Sequence, residues 1–239
     1  MQRKAGSPAR RSVPEREREA GDLVARATEL GVILTPRQGA ALLDFRDLVL
    51  RWNRAFNLIS RRDTARLVPR HLLDSLTVAP WLSGTDVLDL GTGAGFPGVP
   101  LAIAREDAQF TLIDSSERKI RFIGQVVRTL GLPNVSPRCV DVHELARDRD
   151  FDTVVCRAVT DPASAWGLAA ARVRPFGRMV IMSRGQSPAA AEPAPEPELP
   201  ADAQLEARHR VRIPGLEQPH ELVLLRHRGA GARAAGSAP

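Results

Sequence analysis

Asp86-Val87-Leu88-Asp89-Leu90-Gly91-Thr92-Gly93-Ala94-Gly95-Phe96-Pro97-Gly98 is the most informative stretch of this chain. A short apolar run enters a glycine-rich turn, and a helix is expected to follow. Glycines let the backbone turn sharply and let a ligand approach main-chain N–H groups. Gly93, Gly95 and Gly98 also match the spacing of dinucleotide sites, so the turn alone does not choose a ligand. Two acids narrow the choice. Asp89 lies inside the strand, two residues before Gly91, where a pyrophosphate would meet a like charge. A cofactor with positive groups, such as S-adenosylmethionine, tolerates it. Asp114 ends the next strand-like run, where a carboxylate can take both ribose hydroxyls. NAD would also accept Asp114, so the distinction rests on Asp89 and the GxGxG register of Gly91, Gly93 and Gly95. A tight turn without a ligand is the alternative for the glycines alone.

Around this stretch, apolar runs alternate with helical ones. The runs are Phe110–Asp114, Val135–Val142, Thr153–Cys156, Met179–Met182 and Leu222–Leu225. Ile120, Ile123, Val127 and Leu130 mark a helix closed by Gly131. Such alternation implies an α/β fold: a mostly parallel, twisted, Rossmann-like sheet with helices on both faces, over residues 83–228. Gln186–Pro200 is expected to be an exposed loop and Gly229–Pro239 a flexible tail.

The N-terminal third has a different grammar. Residues 1–20 mix charges with prolines and are expected to be a disordered basic tail. Residues 21–82 form a small helical annex. A helix starts near Asp22 and stops at Gly31. Thr35-Pro36 caps a second, with Leu42, Phe45, Val49, Trp52 and Phe56 on one face. A third spans Leu67–Leu76. Charge is uneven: residues 1–80 hold 15 Lys+Arg against 9 Asp+Glu, whereas residues 81–239 hold 19 of each. All of the net +6 thus lies in the annex and tail, as in a polyanion-binding surface beside a neutral catalytic domain. No apolar run reaches the ~18 residues of a membrane span, and the N-terminus lacks a secretory core. A cytoplasmic monomer without membrane contact is expected. Cys139 and Cys156 fit no metal or redox spacing and are expected to be buried thiols; no metal site is expected.

Six ordered segments together carry a resemblance. They are Trp52–Ser60, Arg70–Ser75, Asp89–Gly98, Phe110–Ser115, Arg118–Phe122 and Cys156–Ala158. Over roughly residues 22–228 the chain resembles the bacterial 16S ribosomal RNA guanine-N7 methyltransferases called RsmG or GidB, which are class I methyltransferases. The resemblance implies S-adenosylmethionine as cofactor, held by Gly91, Phe96, Val142, His143 and Arg157 beside Asp89, Gly93, Gly95 and Asp114. It implies 16S rRNA or the small ribosomal subunit as partner and a guanine in the decoding-region loop as target. Two positions depart from the family: Arg184 stands where Lys is common, and Asp141-Val-His-Glu144 replaces a motif that usually begins with Arg. Asn53, Asn57, Arg61, Arg62, Arg70, His71 and Arg184 are the RNA-binding candidates. Asn53 and Asn57 could instead cap backbone. Arg61, Arg62, Arg66 and Arg70 could contact phosphates or form a solvated face.

Guanine N7 has an in-plane lone pair and no proton, so its methylation needs positioning and no general base. The chain has no Tyr, and it lacks Asn-Pro-Pro-Tyr and Pro-Cys motifs. Arg157 and Arg184 are the positioning candidates; Arg157 could also pair with an acid such as Asp161. Competing readings are a small-molecule methyltransferase, an NAD(P)-dependent reductase and a non-catalytic RNA-binding module.

Overall fold

The computed structural model describes residues 12–145, 150–157, 161–184 and 198–229, the Arg184 side chain excepted. The expectations for residues 1–11, most of the 186–200 loop and the tail beyond Gly229 lie outside them. The sheet has seven strands: β1 (Asp86–Leu90), β2 (Gln109–Asp114), β3 (Val135–Cys139), β4 (Phe151–Arg157), β5 (Val173–Arg184), β6 (Ala203–Val211) and β7 (His220–His227). Their order is β3-β2-β1-β4-β5-β7-β6. β1 to β5 run parallel, and β7 runs antiparallel to both β5 and β6. Leu88, Val154 and Val155 are fully enclosed, because helices cover both sheet faces and make central strands continuously apolar.

The chain steps outward from β1 through α4 (Gly98–Ala104) to β2, then through α5 (Glu117–Leu130) to β3. It then crosses back to β4 on the other side of β1. The glycine turn therefore follows β1 at the point where strand order reverses, where open α/β sheets bind ligands.

The first helix corrects the expected disordered tail. α1 spans Val13–Glu29, so residues 13–20 are helical. Ser12 is its N-cap, a proline sits in the first turn, and the Glu15 carboxylate accepts the Ser12 N–H at 2.8 Å. Arg16 bonds Asp44 and, at 2.9 Å, Asp47, both on α2 (Pro36–Phe56); Glu19 pairs with the buried Arg46. Charge that suggested disorder is thus spent on packing α1 against α2. α2 starts as expected: Thr35 Oγ1 accepts the Gln38 N–H at 3.2 Å, and Gln38 Oε1 accepts the Thr35 N–H at 2.8 Å. Leu42, Phe45 and Val49 are fully buried, but Phe56, in the last turn, is 41% exposed beside Trp52. Phe45 meets Phe96 of the glycine turn at 5.1 Å between ring centroids, and Trp52 meets Phe122 of α5 at 5.3 Å. One hydrophobic core thus runs from α1 and α2 into the sheet.

Cys156 is buried, but Cys139 is exposed, contrary to expectation. It ends β3, an edge strand, whose residues after Val135 are exposed or half-buried.

Candidate active site

The glycine turn is built around Asp89, which is 0% exposed. Its Oδ2 accepts the Gly98 N–H at 2.9 Å, and its Oδ1 has no hydrogen-bond partner. Burial pushes this carboxyl up to about 6. A Cβ at Gly98 would lie 2.6 Å from Asp89 Oδ2, so only glycine fits there. Asp89 therefore holds the turn from beneath and is enclosed, rather than open to a cofactor as the sequence suggested. Gly91 is the opposite case. It is exposed, has φ +72°, and has open space where a Cβ would stand. Its backbone is approachable.

Asp114 faces the turn from the end of β2. Its Oδ2 accepts the Gly93 N–H at 3.0 Å and its Oδ1 the Ser116 N–H at 2.9 Å; Lys119 Nζ lies 3.1 Å from Oδ2. A carboxylate has about four lone-pair positions, so acceptor capacity remains for ribose hydroxyls. Val142 and His143 lie in the turn after β3, where the His143 N–H is donated to Asp141 Oδ1 at 2.9 Å. Arg172, which the sequence reading missed, is buried and donates to the carbonyls of Val142 (3.3 Å) and Leu145. An arginine beside a strand gave no cue that it anchored a turn some thirty residues earlier.

A cleft of about 280 Å³ is lined by Arg157 and by His71, which both pack against Phe96 of this turn. The Phe96 ring is buried, packed on Phe45 and His71, with the Arg157 guanidinium 5.5 Å above its centroid. A cofactor contact at Phe96 is thus left to its backbone. Arg157 lies 3.0 Å from His71 Nδ1 and 3.9 Å from Asp74 Oδ2. Its acid partner is Asp74, while Asp161 caps α6 (Pro162–Ala169) by accepting the Ser164 N–H at 2.8 Å. Burial lowers the Arg157 pKa, and Asp74 and Asp89 oppose the shift.

The annex forms the other wall. A 3-10 turn, Arg61–Arg66, leads into a π-helical turn, Val68–Leu73, which continues as α3 (Asp74–Leu76). From these come Asp63, Arg70, His71 and Asp74; β5 and β7 add Met182, Ser183 and His220. Asp63 accepts from the Ser60 hydroxyl at 2.7 Å and forms an ion pair with Arg70, whose Nε lies 2.7 Å from its Oδ1. Asp74 Oδ1 lies 2.6 Å from His220 Nδ1. Asp63 and His220 were missed. The acid between Arg62 and Thr64 was a visible signal; His220 gave none beyond heading an apolar run.

The remaining RNA-binding candidates separate. Arg70 and His71 line the cleft, and Arg61 and Arg62 are exposed in the 3-10 turn. Asn53 is a correction: it is buried, and its Oδ1 accepts the Ile59 N–H at 2.8 Å, so it fixes the exit from α2. Asn57 is the left-handed residue that ends α2, at φ 48°. Arg184 ends β5, its backbone registered with His220. Among the described residues, no group of three or more His, Cys, Asp or Glu is placed to hold a metal ion, and no helix is long and apolar enough to cross a membrane.

This geometry has close relatives in architecture. The glycopeptide N-methyltransferase MtfA, solved with S-adenosylmethionine, superposes with a TM-score of 0.52 at 15% identity, covering 65% of this chain and 86% of that one. The fold is that of the Rossmann-like methyltransferases. Sequence relatives carry the assignment further. The ribosomal RNA small subunit methyltransferase G of Methylococcus capsulatus is 39% identical over 202 residues, covering 84% of this chain and 96% of that protein. Its namesake from Aeromonas salmonicida is 38% identical over 199 residues, covering 83% and 93%. The model of the family described as rRNA small subunit methyltransferase G (GidB) matches residues 38–219, and the chain belongs to that family. It is an S-adenosylmethionine-dependent methyltransferase.

Proposed function

We propose that the protein transfers a methyl group from S-adenosylmethionine to N7 of a guanine in the decoding-region loop of 16S rRNA, acting as a cytoplasmic monomer on the small ribosomal subunit. The observation that carries this reading is the state of the cleft. Asp63 is engaged by Ser60 and Arg70, and Asp74 by His220. Against partial burial, which acts to raise it, Ser60 and Arg70 hold the Asp63 carboxyl below its usual range, which makes it a poor base, and Asp74 is committed to His220. N7 asks for none, since it has a lone pair and no proton.

The glycine turn fits the cofactor. Gly91 leaves its backbone open, and Asp114 retains acceptor capacity beside Gly93. Gly91, Gly93, Asp114 and the turn at Val142-His143 would hold the nucleoside, and Arg157 the amino-acid end. Gly95, predicted as a contact, is instead buried against Val99 and Phe45, its N–H donated to the Thr92 carbonyl at 2.9 Å. When bound, the cofactor would supply an electrophilic methyl group, to which N7 donates its lone pair with no proton moved, S-adenosylhomocysteine being the leaving group. Phe96 and Arg157 orient that group toward the cleft, and the annex wall shields it from water. Exposed Arg61 and Arg62 supply phosphate contacts at the rim, and Arg184, at the end of β5, supplies a further cation.

The test is methyl transfer to small-subunit particles or 16S rRNA, followed by mass-spectrometric mapping of the product. N7-methylguanosine at a single decoding-region position is expected. Methylation of small molecules with no rRNA product would overturn the reading.

A further inference from the structure

The His71 ring is 7% exposed, packed at a tilt against Phe96, with Nδ1 facing the Arg157 guanidinium. A guanidinium only donates, so Nδ1 must accept and the proton of the neutral ring sits on Nε2. The ring is neutral: burial, with Arg157 adding to it, pushes its pKa down to about 3. Nε2 is therefore a buried N–H donor with no hydrogen-bond partner, on a side chain that lines the cleft. The Asp63 carboxylate is 4.0 Å away, beyond hydrogen-bonding reach. An orphaned buried donor is costly, and in a ligand cleft it marks the place of a missing acceptor.

Asp63 is the complementary group. Partial burial acts to raise its pKa, but the Ser60 hydroxyl and Arg70 hold the carboxyl below its usual range, so it is ionised. Those two partners leave it lone pairs to offer.

We infer that His71 and Asp63 read the edge of the target base, His71 Nε2–H donating to guanine O6 and Asp63 accepting from N1–H and N2–H. The inference rests on the proposed guanine substrate. Order along the wall supports it. His71 packs on Phe96, next to the glycine turn, whereas Asp63 lies farther out on the 3-10 turn. A purine with N7 toward the glycine turn brings position 6 to His71 and positions 1 and 2 to Asp63. Guanine presents an acceptor at position 6, and adenine presents a donor there. Asp63 also favours the transition state. Methylation at N7 leaves the base cationic, which strengthens N1–H and N2–H as donors to a carboxylate.

The test uses the full chain and small-subunit rRNA ligated to carry guanine, inosine or 2,6-diaminopurine at the methylated position. All three keep N7. Inosine lacks the 2-amino group, and 2,6-diaminopurine presents a donor at position 6 and an acceptor at position 1. With S-adenosylhomocysteine present to prevent turnover, RNA affinity is expected to fall about tenfold for inosine and about a hundredfold for 2,6-diaminopurine. Methylation rates should fall in the same order. In Asp63→Asn the guanine-to-inosine ratio should drop toward one, while S-adenosylhomocysteine affinity stays within about twofold. Wild-type protein that takes inosine and 2,6-diaminopurine as well as guanine would overturn the inference, and so would Asp63→Asn with its preference intact. The wild-type arms decide even if the variant does not fold. A methyl group found away from N7, with base preference intact, would overturn the transfer to N7 and leave the base reading standing.

Discussion

Asp89 and His71 are both buried titratable groups, and their protonation acts on stability in opposite directions. The folded-state pKa of Asp89 is raised to about 6, so the fold prefers it protonated. Its contribution is largest below about pH 4 and is lost as pH rises through about 6, at a cost of about 3 kcal/mol. The folded-state pKa of His71 is lowered to about 3, so the fold prefers it neutral. Its contribution is complete above about pH 6.5 and is lost as pH falls toward 3. Between about pH 4 and 6 the two oppose each other. Asp89→Asn keeps an acceptor for the Gly98 N–H and removes the ionisation. The variant is expected to gain about 1–3 kcal/mol at pH 7.5 and to lose stability more steeply between pH 6 and 4. Denaturant melts at several pH values would show this; an unchanged pH profile would contradict it. Asp114→Ala tests the other acid. It removes an acceptor for ribose and frees the Gly93 N–H, so cofactor affinity should fall by about 1.5–3 kcal/mol while RNA affinity changes little. Calorimetry for the cofactor and a binding titration for the RNA separate the two; equal losses would remove Asp114 from the cofactor site.

At the scale of elements, α1 is held by charge as well as by its buried Ala20, Leu23 and Ala27. Arg46 is 6% exposed and pairs with Glu19 of α1 and Asp47 of its own helix. Arg46→Ala should cost about 2–3 kcal/mol, because two partly buried carboxylates lose their cation. Hydrogen exchange should rise first in α1; exchange confined to other elements would show that α1 does not depend on this pair. Elements were legible in the sequence wherever burial imposes a simple pattern. β1, β2, β4 and β7 appear as apolar runs because both their faces are covered. β6 was missed because an edge strand alternates polar and apolar residues, as in Gln204-Leu205-Glu206, and carries a register shift near Ala207. The start of α1 was readable in principle, since Ser12-Val13-Pro14-Glu15 is a capping signal, but the surrounding charges obscured it. The glycine turn and Asp114 were legible because their chemistry is local. The cleft was not: the His71–Arg157 and Asp74–His220 contacts join residues 86 and 146 positions apart. Such pairing follows from strand order, which no local pattern of residues encodes.

For the whole molecule, the question is which part of the N-terminal charge remains free to meet a polyanion. Arg16 and Arg46 are neutralised across α1 and α2, Arg37 pairs with Glu106, and Arg70 is held by Asp63. Arg61 and Arg62 are exposed beside the cleft and, among the described residues, make no ion pair. They are the cations best placed to contact phosphate without first breaking a bond within the protein. Reversing both to Glu should weaken RNA binding and raise the RNA KM, and leave cofactor affinity nearly unchanged. Each lost phosphate contact flattens the dependence of log affinity on log salt by about 0.7–0.9, so the double variant should be shallower by about 1.5–2. Removal of residues 1–11 is the matched control, because it takes away Arg3, Lys4, Arg10 and Arg11 and leaves α1 intact. That deletion is expected to reduce affinity modestly and by a similar factor for every RNA, since diffuse attraction carries no register. The opposite result, with the deletion abolishing binding and the double reversal changing neither affinity nor salt slope, would move the RNA-binding surface from the cleft rim to the extreme N-terminus.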